Sequence, residues 1–209
     1  MRPVPEAYGA AATELAARDA TIARLAATYG PPTFPPPAET AFAALVRAIT
    51  HQQLSNRSAE AIRGRLVAAL GGEITAGALL ALPESDLREV GMSQAKILSL
   101  RDLAMRVHEG TLVLDRAVLA EQDDETVTAA LTAVRGVGRW TAEMFLLFQL
   151  SRLDVWPTGD LSIRKGYAAA WEVPVPTATE LDVLGEAFRP YRAVAAWYCR
   201  AVLGQAPGA

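Results

Sequence analysis

The sequence predicts an all-α fold. Hydrophobic residues make up 51% of its 209 positions, with alanine abundant, a composition that favours packed helices over sheet. Apolar residues recur at three- and four-residue spacings along most of the chain, and no two segments alternate as a pair of strands would.

Taken in order, residues 6–29 read as one amphipathic helix carrying Leu15, Ala16, Ile22, Leu25 and Ala26, ended by the proline-rich GPPTFPPP, with 30–38 as a connector. From Thr40 a helix bearing Phe42, Leu45, Val46 and Ile49 stops near THQQLSNRS. It resumes through Ile62, Leu66 and Leu70 before Gly71-Gly72, so two helices flank a polar turn. Residues 85–110 give a short helix, a turn at Gly91 and a longer helix with Ile97, Leu100, Leu103, Ala104 and Val107. Asp124 is placed as the cap of the next helix, which runs to a glycine turn at 136–138. Beyond it, residues 154–171 and 181–203 each read as loop then helix, for roughly ten short helices in all.

Composition also excludes functions. The formal net charge of −3 and pI near 5.5 argue against an indiscriminate nucleic-acid binder, so any surface for nucleic acid is local. A lone cysteine, Cys199, excludes an internal disulfide, a cysteine-ligated iron–sulfur cluster and a cysteine-rich zinc site. No apolar run is long enough to span a membrane, and MRPVPEAYGA lacks the pattern of a secretory leader, which predicts a cytoplasmic protein.

The most informative stretch is LTAVRGVGRWTAEMFLLFQL, residues 131–150. Gly136 and Gly138 allow unusual backbone angles and leave amides uncovered, while the helix that follows points its positive end the same way. Helix, Gly136-Val137-Gly138 and helix is thus a candidate phosphate clamp, flanked by Arg135 and Arg139; a ligand-free tight turn is the alternative. A dinucleotide turn fails on context: it follows a strand and ends in a third glycine, whereas here a helix precedes and Thr141 stands in that place. Asp160, in WPTGDLSIRKG, reads either as a helix cap or as a carboxylate that stabilises developing positive charge beside Trp156 and Pro157. Trp140 is either core or a flat face for a nucleobase.

LTAVRGVGRWTAEMFLL followed by DVWPTGDLSIRKG, with Asp160 lying 22 residues beyond Gly138, resembles the helix-hairpin-helix (HhH-GPD) superfamily of DNA glycosylases. Within it the chain looks most like the alkylbase (3-methyladenine) glycosylases, through LVRAITHQQLSNRSAEAIRGRL, GMSQAKILSLRDLA and RPYRAVAAWY. The resemblance implies a two-lobed helical fold with the active-site cleft between lobes and no N-terminal β domain. It implies three segments: 1–39, an N-terminal helix and connector packing with the C-terminal lobe; 40–130, a helical lobe with the HQQLS turn; and 131–209, the hairpin, catalytic loop and C-terminal helices.

The resemblance also implies roles. Asp160 is the catalytic carboxylate. Trp140 stacks on an electron-poor base, a cation–π contact of about 0.5 to 2 kcal/mol, and Met144 lines the same pocket. Gln53 or Leu54 is the wedge that fills the duplex where a base is flipped out, with Gln52 near the minor groove; tying down the turn's backbone is the other reading of Gln52. Arg164 and Lys165 help hold phosphate or simply face solvent. The lyase-competent branch carries a lysine where this chain has Trp140, so base removal without strand cleavage is expected. Alkylation at N3 or N7 already makes the purine cationic, so its departure needs no acid, which suits a chain whose histidines are only His51 and His108. The expected partner is duplex DNA with alkylated bases, bound by a monomer with no organic cofactor; a Na⁺ or K⁺ ion at the hairpin carbonyls of 133–138 is open. Relatives commonly carry a pocket-facing aromatic near Arg200, and its absence leaves the substrate range open. The competing class is a non-catalytic helix-hairpin-helix module that grips DNA, which has no use for a carboxylate facing the backbone.

Overall fold

The computed structural model describes residues 5–205; the outermost residues of the first and last segments, including part of the MRPVPEAYGA stretch, lie outside the described residues. Among the described residues the chain is all-α, with thirteen α-helices, one 3₁₀ turn and no strand. None of these helices is long and apolar enough to cross a membrane.

The stretch 6–29 is two helices, α1 (Pro5–Arg18) and α2 (Ala20–Tyr29). Apolar spacing runs on across the break, but Asp19 leaves helical angles and caps α2, accepting from the Ile22 amide at 2.9 Å. Its other oxygen accepts from Trp171 Nε1 at 3.2 Å, so the break also serves packing. Thr40 and Ser55 cap α3 (Ala41–His51) and α4 (Asn56–Ala69), which flank the polar turn. There follow α5 (Ala76–Ala81), α6 (Glu84–Glu89) and α7 (Gln94–His108), with Gly91 at φ 101° turning the chain between the last two. After α8 (Arg116–Ala120) comes α9 (Asp124–Thr132), capped by Asp123 rather than by Asp124. The cap's own angles must be extended, and Asp123 is the residue that satisfies this while its carboxylate accepts from Thr126 N at 2.7 Å. The chain ends with α10 (Arg139–Phe148), α11 (Leu161–Trp171), α12 (Ala178–Gly185), the 3₁₀ turn Glu186–Phe188 and α13 (Arg192–Val202).

The helices divide into two compact units, one continuous, Ala38–Phe145, and one discontinuous, Met1–Pro37 with Leu146–Ala209. The boundary falls inside α10, so the hairpin lies in the continuous unit. Side-chain bonds from α3 and α7 to the hairpin, described below, are the reason.

In the discontinuous unit Leu15, Ile22, Trp156, Ile163, Leu181 and Tyr198 are part of one buried cluster. Tyr167 stacks on Trp171 at 4.4 Å, and Trp156 Nε1 donates to Leu181 O at 2.8 Å, which ties the loop before α11 to α12. The tightest approach is between α11 and α13. A Cβ on Gly166 would lie 1.9 Å from the carbonyl oxygen of Cys199, so only glycine lets these helices meet. The contact buries Cys199 completely, and burial pushes its thiol pKa up. Gly166→Ala is expected to cost about 1 to 3 kcal/mol by forcing the helices apart, read as a lowered denaturation midpoint; an unchanged midpoint would show that α13 shifts freely.

Candidate functional site

The continuous unit holds the hairpin. Its two glycines have different reasons to be glycine. Gly136 has φ +75°, and a Cβ there would stand 2.5 Å from Ser99 Oγ, so the backbone and α7 both require it. Gly138 has no positive φ and open space where a Cβ would go. Nothing inside the fold around it demands a glycine at 138. An i to i−4 bond from Ala142 N to Gly138 O at 3.1 Å ties the second glycine to the start of α10.

The hairpin is moored. Arg135 N donates to Asp102 Oδ2 at 2.8 Å, and Arg106 Nε donates to the same oxygen at 3.0 Å. Burial opposes the charge on Asp102, but these donors outweigh it and hold the carboxyl below its ordinary pKa. Val137 is buried, its amide bonded to Val134 O at 3.1 Å. Of the flanking cations, Arg139 faces Glu143 at 3.2 Å and Glu125 at 3.4 Å. Desolvation opposes its charge, and the two carboxylates more than offset this and raise its pKa. The guanidinium positive charge of Arg139 is therefore partly answered within the fold, while Arg135 is exposed.

Trp140, in the first turn of α10, is 47% exposed, so it is not core. Met144 lies one helical turn on, half-buried on the same face. Across the unit, the turn after α3 is built around Gln53, a non-glycine residue in the left-handed region at φ 57°. Gln53 and Leu54 are exposed, Leu54 by 38%. Gln52 is half-buried, and its Nε2 donates to Gly136 O at 2.8 Å. His51 sits between Arg47 O at 2.9 Å and Glu60 at 3.0 Å.

In the discontinuous unit Asp160 is 6% exposed. It caps α11, Oδ1 accepting from Ser162 N at 2.8 Å and Ile163 N at 3.3 Å, so the cap reading holds. Its Oδ2 accepts from Arg200 Nη2 at 2.8 Å. That ion pair is the feature the sequence concealed: Arg200 stands out as a departure from relatives, but its partner lies 40 residues away on another helix. Arg200 and the apolar side chains Phe34, Phe148, Ile163 and Trp197 line a small cavity within this unit. Arg164 donates to Pro176 O at 2.7 Å, and Lys165 is exposed. Sequence reasoning also missed Lys96, Ser99 and Asp102, whose role depends on which face of α7 meets the hairpin. Among the described residues, no group of three or more His, Cys, Asp or Glu side chains is arranged to hold a metal ion.

The glycines separate fold from function. Gly138→Ala is expected to denature within about 0.5 kcal/mol of the parent, yet to bind an undamaged duplex at least about fivefold more weakly. Gly136→Ala is expected to lose about 1 kcal/mol or more of stability. Denaturant unfolding and fluorescence anisotropy measure the two effects; full duplex affinity in Gly138→Ala would make the hairpin a plain turn.

The sequence and fold resemble those of known proteins. The chain is 36% identical over 157 residues to DNA-3-methyladenine glycosylase 1 of Schizosaccharomyces pombe, covering 74% of this chain and 68% of that protein. Its structure superposes on a DNA-3-methyladenine glycosidase from Bacillus halodurans with a TM-score of 0.85 and 32% identity, covering 93% of this chain and 89% of that one. The S. pombe 3-methyladenine DNA glycosylase in complex with abasic DNA gives a TM-score of 0.77 and 32% identity, covering 90% and 94%. Residues 46–184, from α3 through α12 and including both the hairpin and Asp160, match the HhH-GPD superfamily base excision DNA repair protein family, and the chain belongs to that superfamily.

Proposed function

We propose that the protein is a monofunctional DNA glycosylase that hydrolyses the N-glycosidic bond of alkylated purines, such as 3-methyladenine and 7-methylguanine, in duplex DNA. The observation that carries this reading is Asp160: a buried carboxylate met by the start of α11 and by Arg200, 22 residues beyond Gly138, where the resemblance puts the catalytic carboxylate. The relatives' substrates point the same way, and one of them is seen with abasic DNA, which is what base release leaves behind.

On this reading the phosphate backbone is gripped by the amides around Gly138 and by Arg135, contacts that read no sequence. Gln53 and Leu54, exposed at a strained turn, enter the duplex where the base leaves. The flipped base stacks on Trp140, whose exposed face favours a cationic ring, with Met144 beside it. A purine alkylated at N3 or N7 departs as a neutral base without protonation. The sugar left behind has oxocarbenium character, which Asp160 stabilises while orienting the attacking water. With Trp140 in place of a lysine, no amine forms a Schiff base with the sugar, so the strand stays whole. The protein acts as a cytoplasmic monomer and needs no organic cofactor. Hairpin carbonyls already engaged, such as Val134 O and Gly136 O, retain a second lone pair, so a monovalent cation is compatible with the hairpin, and no step depends on it.

Asp160→Asn keeps shape and capping but removes charge, so it is expected to bind DNA as the parent does while releasing 3-methyladenine about 10² to 10³ times more slowly. Parent-like release would reduce Asp160 to a cap and favour a DNA-gripping module. The product is expected to be an intact abasic strand, cut only by later alkali, with no adduct trapped by borohydride; a trapped adduct sinks the monofunctional assignment. Trp140→Ala is expected to slow release of cationic bases without introducing strand cleavage. Hypoxanthine, neutral and more firmly bonded, is expected to leave more slowly than 3-methyladenine in the same assay; the opposite order would require an acid not yet identified.

A further inference from the structure

The turn bearing the exposed Gln53-Leu54 tip and the hairpin are far apart in sequence, yet one side chain joins them across 84 residues. Gln52 Nε2 donates to Gly136 O at 2.8 Å, from the residue that ends α3 to the glycine whose φ shapes the hairpin. Both ends of this link rest on one face of α7, through residues three apart and so about 4.5 Å apart along its axis. Lys96 Nζ donates to Thr50 O at 2.6 Å, closing the last turn of α3 under the tip. Ser99, bonded to Ala95 O at 3.0 Å, stands where Gly136 can have no Cβ. Asp102 takes the Arg135 amide at 2.8 Å. Lys96 shows the consequence of this placement: desolvation lowers its pKa, the mark of an ammonium drawn inward to serve a carbonyl.

We infer that Gln52 is a positioning residue, not a wedge: it locks the Gln53-Leu54 tip to the hairpin so that gripping phosphate and filling the vacated base position occur at a fixed spacing. The inference rests on the glycosylase reading for its use, but the lock itself is a property of the free protein. Its logic is entropic. A tip on a left-handed turn at Gln53, secured locally by Leu54 N to His51 O at 3.2 Å, must otherwise be ordered at each encounter with DNA. Held in advance against the hairpin, it costs less to place. Gly136 O is a good anchor because that glycine packs closely on α7, with Ser99 Oγ 2.5 Å from where a Cβ at 136 would stand.

Two variants test it. Gln52→Met keeps length and removes the donor; Gln52→Lys keeps an N–H donor on a stem of similar reach. In the free protein, Gln52→Met is expected to speed amide exchange at Leu54 about tenfold, with Tyr191, whose amide bonds to Phe188 O at 2.8 Å in the other unit, unchanged. In single-turnover release of 3-methyladenine at saturating enzyme, Gln52→Met is expected to be about fivefold slower, while affinity for an undamaged duplex stays within about twofold. Gln52→Lys should recover most of both losses. Unchanged exchange at Leu54, a fall in undamaged-duplex affinity equal to the fall in release, or a lysine variant as impaired as the methionine one would each overturn the inference. If the parent protein released no methylated purine, the glycosylase reading would fail, and the exchange comparison would still decide the lock.

Discussion

A carboxylate that is 6% exposed must be met by donors, and Asp160 is the residue around which the discontinuous unit is arranged. The amides of Ser162 and Ile163 meet one oxygen, which fixes where α11 begins. Arg200 meets the other, which requires the last turn of α13 to lie beside the first turn of α11. Gly166 makes that approach possible, since any side chain there would strike the Cys199 carbonyl one residue before Arg200. The loop between α10 and α11 is held from behind by the Trp156 indole on Leu181 O, and α13 is anchored at its start by Arg192 on Asp154 at 2.8 Å. Packing, capping and the ion pair therefore enforce one another.

The continuous unit solves a different problem, that of holding the hairpin's backbone in one place. The stiffness of the hairpin comes from groups outside it. Asp102 supplies it at Arg135, Val137 by burial, and Gln52 at Gly136. The division of the chain follows, with the hairpin belonging to the helices that brace it.

What was legible in the sequence is what local chemistry decides. Glycines beside arginines marked the hairpin, because a left-handed turn and an uncovered amide are one- or two-residue properties. Asp160 was legible as both cap and candidate catalyst, since a carboxylate before an apolar helix means the first and its distance from the hairpin suggested the second. The break at Asp19 was hidden, because the apolar spacing of α1 and α2 continues through it and the deciding partner, Trp171, lies 152 residues away. α5 and α8, of six and five residues, are too short for periodicity to distinguish. Gly166, Lys96 and the Asp160–Arg200 pair were illegible for the same reason: each is defined by a contact between helices distant in the chain.

The ion pair also bears on chemistry. A bare buried carboxylate would project a strong field on a developing cation, but one whose charge is shared with a guanidinium at 2.8 Å projects a weaker one. Under the glycosylase reading, such a site gives modest electrostatic help to the sugar and none to the leaving base. That is enough where the base carries its own positive charge and departs neutral, and it is a poor match for a neutral base that must first be protonated. On that same reading, lesion preference arises less from recognising a methyl group than from the limits of the site's help: bases already weakened at the glycosidic bond leave quickly, while intact purines that flip are returned to the stack.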